Sequence, residues 1–283
     1  MGTKRKYYNG VDYELDEKLQ VVKLKPEFHR KLLNKQLWGK KGFKKFGGSS
    51  IADVLETDSF KSNFAAFCHM AHLKMPVLVQ KYVKAGIAIE PKIFEVMKKH
   101  FSNKEIIHLE AADYNFDYFN DKYEYLQGVP DGIMPNEKIV LEMKTVNEKK
   151  ADIWGQPGKE VLSVPLDYRK QAQLYAYLLG YDRYSIVATF LKEEDYLEPE
   201  NFPIEKRMIR QYMYKVDKNI AEDDIKKTID FFKKYSILGI SPVYNPIRDR
   251  DQVEFLKCHN EKEWKDLLEQ WKQVGKADKD YEE

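Results

Sequence analysis

The sequence Gly128-Val-Pro-Asp-Gly-Ile-Met-Pro-Asn-Glu-Lys-Ile-Val-Leu-Glu-Met-Lys144 combines a turn, an apolar run and charged side chains. The apolar run at residues 139–141 predicts a buried strand, because Ile, Val and Leu favour that environment. Pro135 and Asn136, ahead of the run, predict a hairpin turn. The segment ahead of the turn then supplies the partner strand, so the stretch as a whole predicts a β-hairpin.

Three charged residues of this hairpin are expected to lie together. Alternate residues of a strand point to the same side of the sheet, so Glu142 and Lys144 share a face and Met143 points the opposite way. Asp131, at the end of the preceding strand, can then meet Glu142 across the hairpin. Two carboxylates and an ammonium group suit a hard divalent cation, and Mg²⁺ usually takes one or two carboxylates plus water and phosphate. The alternative is a salt-bridged hairpin with a surface lysine.

Length and composition bound the class of protein. A chain of 283 residues with 43% hydrophobic content can form one large domain or two small ones around a real core. It has no apolar run long enough to span a membrane, and its charged N-terminus is followed by no apolar segment, so we expect a cytoplasmic protein. Cys68 and Cys258 lie far apart in sequence and are expected to be reduced thiols. The six histidines are scattered and form no zinc motif.

Positive charge is concentrated in one segment, although the net charge is only +2. No acidic residue occurs between His29 and Ala52. The segment contains the basic residues Arg30, Lys31, Lys35, Lys40, Lys41, Lys44 and Lys45, with the aromatic residues Trp38, Phe43 and Phe46 interleaved. This pattern fits a phosphate-binding patch, and the alternative is a solvated basic face.

Two further positions are candidates for a functional site. Ser49 and Ser50 follow two glycines and predict the start of a helix from residue 51 to about residue 56. A free helix N-terminus there is a natural phosphate site, and the alternative is an ordinary N-cap. Glu90 follows an apolar trio and precedes Pro91, so we expect it at a helix start or kink. It is either a helix-terminal charge or a third acid aimed at the metal pocket.

The remaining pattern predicts helices and strands in alternation. Helices are predicted at residues 27–37, 61–75 and 76–83, after Pro91 to about residue 100, and at residues 220–235 and 261–273. Strands are predicted at residues 21–24, 106–109, 123–127, 185–191 and, at the edge of the sheet, 208–216. The charged tail from Lys276 onward is expected to be disordered.

Residues 168–179 predict a strong helix that Gly180 ends as a C-cap. Gln171 and Tyr175 lie one turn apart on one face of this helix, and Gln173 and Tyr177 lie on another. One pair must turn inward, and the pattern leaves both possibilities open.

Four elements, in order, resemble the PD-(D/E)xK nucleases, and among them the phage λ exonuclease and YqaJ-like (RecB-type) branch. Residues 130–144 resemble the Pro-Asp and Glu-x-Lys elements of the nuclease motif. The Gly-x-x-x-Glu-Pro of residues 86–91 looks like that branch's N-terminal helical motif. Residues 171–175 look like its glutamine helix. Residues 46–52 are similar to its Ile-Gly-Ala-Ser-x-Ile-Ala element, and together the matches cover roughly residues 38–191.

The resemblance implies an α/β fold with a restriction-endonuclease-like core. In such a core a central mixed β-sheet is flanked by helices, and this chain would add N- and C-terminal helices. We expect one nuclease domain over residues 1–283, with the core at about 38–191. Residues 202–283 would be a C-terminal extension packed on the core, and nothing after about Phe202 matches the family.

The resemblance also implies Mg²⁺-dependent phosphodiester hydrolysis, with Mn²⁺ able to substitute. Asp131, Glu142 and the backbone carbonyl of Met143 would bind the metal. Glu90 would complete the acidic cluster, either directly or through water.

Further residues are assigned roles by the same resemblance. Lys144 would position or activate the attacking water, and Gln171 would hold Lys144 or the nucleophile in place. The predicted substrate-binding residues are Ser49, Ser50, Lys41, Lys44, Lys45 and Tyr175. In the exonuclease branch the serine works with an arginine shortly upstream, and the equivalent stretch here contains lysines only. A lysine is a less directional phosphate ligand than an arginine.

The implied function is a DNA exonuclease of phage or prophage recombination type that digests one strand from duplex ends. The alternative on the same core is a restriction or repair endonuclease. A third possibility is a DNA-binding module without catalysis, but that class commonly loses the acids or the lysine. The family also suggests a single-strand annealing protein as partner and a homo-oligomer, a trimer by analogy, with no membrane association.

Overall fold

The computed structural model describes residues 4–37, 39–119, 122–158, 164–201 and 203–283. Its strands are β1 (Tyr13–Asp16), β2 (Val21–Leu24), β3 (Ile107–His108), β4 (Gly132–Met134), β5 (Ile139–Asn147), β6 (Arg183–Leu191) and β7 (Met208–Lys215). Its α-helices are α1 (Pro26–Leu33), α2 (Ser50–Leu55), α3 (Asn63–Met70), α4 (Lys81–His100), α5 (Ala151–Trp154), α6 (Leu166–Leu179), α7 (Lys218–Leu238), α8 (Arg250–Lys257) and α9 (Glu261–Gln273). Trp38 and Phe202, named above, lie outside the described residues.

The chain forms two compact units. The first comprises Met1–Phe46, Ser50–Gln80 and Lys226–Glu283, and the second comprises Gly47–Ser49 and Lys81–Ile225. The expectation of one nuclease domain with a C-terminal extension stays a prediction.

The second unit is built on a five-stranded mixed sheet. Its strand order is β3-β4-β5-β6-β7, and every neighbouring pair is antiparallel except β5 and β6, which run parallel. A parallel pair needs a crossover connection, which the segment containing α5 and α6 provides. Helices α4 and α6 both pack against β5. The predicted α/β class, with a central mixed sheet flanked by helices, is confirmed, as is the edge position of β7.

Strand β5 separates an apolar face from a polar one. Ile139, Leu141 and Met143 pack in one buried cluster with Ile89 and Ile93 of α4. The alternate residues from 142 onward face the other way, as the strand periodicity predicts. The turn between β4 and β5 closes the predicted hairpin, with its last residue in the left-handed region. A sheet with helices over it can therefore present polar side chains from its most central strand.

Helix α4 differs from two predictions, one for the segment before it and one for the position of Glu90. Pro76 does not begin a helix, because residues 74–80 are irregular and α4 starts at Lys81. The helix then runs through Pro91 to His100 without a break. Glu90 therefore lies inside a helix and not at its start. Proline removes one hydrogen bond from a helix interior, and the buried apolar face of α4 outweighs that loss here.

The strand predicted at residues 123–127 is also wrong. These residues form bends, with a bridge at Leu126. Their aromatic content reflects packing instead, because the Tyr123 hydroxyl donates a hydrogen bond of 3.0 Å to the carbonyl of Leu178 in α6.

The first unit contains the β1–β2 hairpin and most of the short helices. Arg5 connects the N-terminal segment of this unit to the rest of it: Nη1 donates to the Phe255 carbonyl at 2.7 Å, and Nη2 donates to the Tyr13 hydroxyl at 2.9 Å.

The tail from Lys276 is ordered, contrary to expectation. Tyr281 is buried, and an Asp278 carboxylate oxygen accepts a 2.7 Å hydrogen bond from the Gln80 backbone.

Two other expectations concern cysteines and membranes. Cys68 and Cys258 are both buried and unbridged, which confirms the predicted free thiols. Among the helices that the structure describes, none is both long enough and apolar enough to cross a lipid bilayer.

Candidate active site

The β4–β5 hairpin brings Asp131 and Glu142 together, as predicted. Gly132 pairs with Leu141 in the antiparallel register, which sets the preceding aspartate across from Glu142. The backbone N–H of Met143 donates a 2.7 Å hydrogen bond to Asp131 Oδ2. Burial raises the pKa of Asp131, because a buried carboxylate loses its hydration.

Glu142 is the most enclosed member of this pair, with no exposed surface. Its Oε1 accepts hydrogen bonds from the Lys144 ammonium and from Gln171 Nε2, the latter at 2.5 Å. Its Oε2 is buried and has no hydrogen-bond partner among the described residues. Burial first, and the charge of Asp131 second, raise the pKa of Glu142 to about 8, while Lys144 opposes the shift.

Lys144 lies on the same face as Glu142, and the predicted sharing of a face is confirmed by their contact. Its side chain is about four-fifths buried, and its ammonium nitrogen lies 5.1 Å from the centre of the Tyr168 ring. Burial alone lowers the pKa of a lysine. The charges of Glu142 and Asp131 outweigh that effect, so the net shift of the Lys144 pKa is upward. The group is thus held as an ammonium beside two acids.

Glu90 reaches the same neighbourhood from the middle of α4. Burial, and then the charge of Asp131, raise its pKa, and the charge of Glu90 in turn contributes to the raised pKa of Glu142. The three acids predicted from separate motifs therefore influence one another electrostatically. A recess of about 390 Å³ is lined by Glu90, Asp131, Lys144 and Tyr168, so these groups can meet a ligand.

His108 is a member of the site that sequence reasoning missed. Its Nε2 lies 2.8 Å from Glu90 Oε1, and its ring stacks on that of Phe94 with centroids 4.3 Å apart. In β3 it pairs with Gly132, the residue after Asp131. The sequence signal for His108 is its position in a predicted strand ahead of the Pro-Asp element, whereas the spacing of the histidines indicates only that they form no zinc motif.

Helix α6 turns the pair Gln171 and Tyr175 towards the sheet, which settles the choice that the sequence left open. Gln171 donates to Glu142, whereas Gln173 accepts a 3.1 Å hydrogen bond from the Asp217 backbone. Tyr175 is buried, and its hydroxyl hydrogen-bonds to the backbone of Gly48. The predicted left-handed Gly180 C-cap is confirmed.

The glycines ahead of Ser49 are required by close backbone approach. A Cβ on Gly47 would lie 1.6 Å from the Gln127 carbonyl oxygen, which no rearrangement of side chains could relieve. Gly48 has a φ of +51°, and a Cβ there would lie 3.0 Å from the Tyr175 hydroxyl. Ser49 therefore directly follows a glycine that lies beside α6.

The other predicted substrate-binding residues belong to the first unit. Ser50 is buried at the start of α2. Lys41 and Lys44 line a recess of that unit, and the Lys45 carbonyl lies 3.3 Å from His69 Nε2. Contact of these residues with a substrate stays a prediction.

The side chains of the site can be compared with the ligands that a divalent metal ion requires. In the described part of the chain, no three His, Cys, Asp or Glu side chains are arranged to enclose an ion. Mg²⁺ does not need such a cage, because it keeps several waters and takes one or two carboxylates. Asp131 and Glu142 are two adjacent hard oxygen donors, and Glu142 Oε2 lacks a partner within the described chain. The residues fit a two-carboxylate magnesium site.

Comparisons with known proteins find only distant similarity to this chain. No protein-family model matches it. It is 26% identical over 240 residues to the uncharacterized protein MG373 of Mycoplasma genitalium, covering 71% of this chain and 83% of that protein. Two solved structures are similar to it at TM-scores below 0.5. One is an alkaline exonuclease from Laribacter hongkongensis (TM-score 0.48, 13% identity, 75% of this chain, 93% of that one). The other is a phage-related exonuclease from Haemophilus somnus 129PT (TM-score 0.47, 14% identity, 71% and 96%).

The raised pKa of Glu142 predicts a specific dependence of stability on pH. Between its ordinary value of 4.5 and about 8, the folded protein holds a proton that the unfolded chain releases. Stability contributed by this group is therefore lost as pH rises through that window. Glu142→Gln removes the titration and keeps an oxygen acceptor. Its free energy of unfolding in chelator, relative to wild type, should rise by at least about 1.4 kcal/mol from pH 5 to pH 8.

The matched control is Glu110→Gln, which neutralises an exposed carboxylate of the same unit. Urea unfolding at several pH values gives the comparison. If the difference between Glu142→Gln and wild type stays constant with pH, the Glu142 carboxyl does not titrate as described.

Proposed function

We propose that this chain is a metal-dependent deoxyribonuclease, and specifically an exonuclease that hydrolyses phosphodiester bonds at the ends of duplex DNA. The observation that carries the proposal is the Glu142 carboxylate: it is fully buried, bound on one oxygen by Lys144 and Gln171, and unpartnered on the other within the described chain. Asp131 lies beside it and lines the adjoining recess. The resemblance of residues 130–144 and 171–175 to the PD-(D/E)xK pattern supports the same reaction.

The metal in this proposal is Mg²⁺, with Mn²⁺ as a substitute. Asp131, Glu142 and the backbone carbonyl of Met143 would hold it, with Glu90 directly or through water. When bound, the ion would neutralise charge on the reacting phosphate and on the leaving oxygen. It would also relieve the repulsion between the clustered carboxylates, whose raised pKa values reflect burial and mutual charge.

The side chains around the carboxylates would orient the reactants. Lys144 already donates to Glu142 Oε1 and is one of the residues that line the recess, so it can donate to a water or to a phosphate oxygen there. Gln171 fixes the same carboxylate from α6 and keeps it from rotating. Correct orientation of a nucleophile and an acceptor is itself a large catalytic effect.

Two further parts of the proposal concern partners. Duplex ends are the proposed substrate, and a single-strand annealing protein is the proposed partner. A homo-oligomer, trimeric by analogy with the resembled family, and a cytoplasmic location also stay predictions.

Removal of Lys144 should abolish activity without unfolding the protein. Lys144→Met keeps the length of the side chain and loses its donor. We expect the rate of digestion of linear duplex DNA with Mg²⁺ to fall at least about 100-fold, as for other groups that act on the reacting atoms. Lys149→Met, an exposed lysine in the same unit, is the control. Covalently closed circles should resist the wild-type enzyme.

Each outcome has a separate meaning. Full activity in Lys144→Met would show that the site is elsewhere. Equal cleavage of closed circles would remove the exonuclease form and leave an endonuclease. No Mg²⁺-dependent cleavage of any nucleic acid by the wild-type protein would contradict the proposal as a whole.

His108 should act as a positioning residue for Glu90. His108→Phe retains a ring to stack on Phe94 but loses the nitrogen that contacts the carboxylate. We expect Mn²⁺ affinity, measured by electron paramagnetic resonance without DNA, to weaken about tenfold or more, the usual effect of losing an outer partner of a metal ligand.

Two further variants serve as controls for this test. His108→Gln, which keeps an N–H donor, should restore part of the Mn²⁺ affinity. His100→Gln, an exposed histidine at the end of α4, should have no effect. Unchanged Mn²⁺ affinity in His108→Phe would mean that the histidine only packs.

A further inference from the structure

A recess of about 440 Å³ in the first unit carries a concentration of positive charge. Lys6, Lys41, Lys44 and Lys74 are among the residues that line it, and they come from segments far apart in sequence. Glu283 contributes a carboxylate to the wall. All of these residues belong to the same compact unit.

His72 also lines the recess, and the charges of three of its lysines act on the imidazole. Burial is the main cause that lowers the pKa of His72 to about 4, and the charges of Lys44, Lys41 and Lys6 lower it further. The imidazole is therefore neutral at physiological pH. Three lysines therefore add their positive charges around one half-buried ring of the recess.

Lys44 experiences this repulsion directly. Burial, and then the charges of Lys41 and Lys74, lower its pKa. The nearby carboxylates have other partners: Asp53 binds Lys74 at 2.7 Å, and Glu283 accepts a 2.7 Å hydrogen bond from Trp264. The charged groups that shift Lys44 are thus cations, and an anion would relieve the strain.

The backbone keeps the lysines in place despite this cost. The Lys44 N–H donates to the Met70 carbonyl at 2.8 Å, and His72 Nε2 lies 2.8 Å from the Gly42 carbonyl. Gly42 packs so closely that a Cβ there would lie 2.7 Å from the Leu32 carbonyl oxygen. The backbone of the segment that carries Lys41 and Lys44 is therefore held on both sides.

We propose that this recess binds phosphate groups of a nucleic-acid strand. The inference rests on the proposed function for the identity of the strand. It extends the predicted set of Lys41 and Lys44 to Lys6 and Lys74, which come from other segments. Lysine ammonium groups bind phosphate as point charges without demanding one geometry, which suits a backbone read without regard to sequence. Tyr7 and Leu37 add an apolar wall against which a sugar or base can lie.

The test measures binding in chelator, so that no cleavage occurs. A fluorescein-labelled single strand of 20 nucleotides is titrated with wild-type protein, with Lys41→Gln/Lys44→Gln, and with the control Lys18→Gln/Lys262→Gln, which removes two exposed lysines of the same unit. The recess variant should bind roughly tenfold more weakly, with a salt dependence of log K reduced by about 1–2, whereas the control should match wild type. The circular dichroism spectrum of the recess variant should match that of wild type, which excludes unfolding as the cause of weaker binding.

Several outcomes would overturn the inference. Equal affinity in the two double variants would mean that the recess does not contact nucleic acid. Poly-glutamate binding that is lost in the recess variant, with DNA binding unchanged, would assign the recess to an acidic protein segment. A failure of the nuclease proposal is read separately, from digestion by wild-type protein with Mg²⁺. If digestion is absent but the recess variant still loses DNA binding, the recess stands without the proposed reaction.

Discussion

A carboxylate buried in the central strand of a sheet is the constraint on which the second unit depends. Glu142 has no exposed surface, yet only one of its oxygens is bound by Lys144 and Gln171. Leaving the other without a partner costs on the order of 1–3 kcal/mol or more. A chain selected only for stability could hold an apolar side chain there at lower cost. This cost supports the proposal that Glu142 and the groups that hold it serve a reaction at this position.

The surrounding architecture serves to hold this carboxylate in one orientation. The hairpin register sets Asp131 across from it, and the parallel crossover from β5 to β6 returns α6 over the same strand. Gly48 and Gly128 let the chain approach α6 closely, since a Cβ on either would lie 3.0 Å or 2.3 Å, respectively, from the Tyr175 hydroxyl. On the opposite face of β5, apolar residues pack against α4, the helix that carries Glu90. Each polar contact of the site is thus supported by packing on elements that are themselves well buried.

The parts of this site that could be predicted from sequence are those encoded locally. Strand periodicity placed Glu142 and Lys144 on one face, and the turn residues placed Asp131 across from them. The parts that could not be predicted depend on packing between distant segments. The contact between Glu90 and His108 joins a helix to a strand, and no local pattern encodes that pairing. Pro91 suggested an interruption, but burial of the apolar face of α4 keeps the helix continuous. The charged tail suggested disorder, yet Tyr281 is buried.

The central claim is that Asp131 and Glu142 jointly bind one divalent cation. Anomalous diffraction at the manganese absorption edge, from crystals soaked in millimolar Mn²⁺, tests it most directly. An anomalous peak is expected within coordination distance of a carboxylate oxygen from each residue, and that peak should be lost in Glu142→Gln. Anomalous density confined to other parts of the protein, or an unchanged peak in Glu142→Gln, would contradict it.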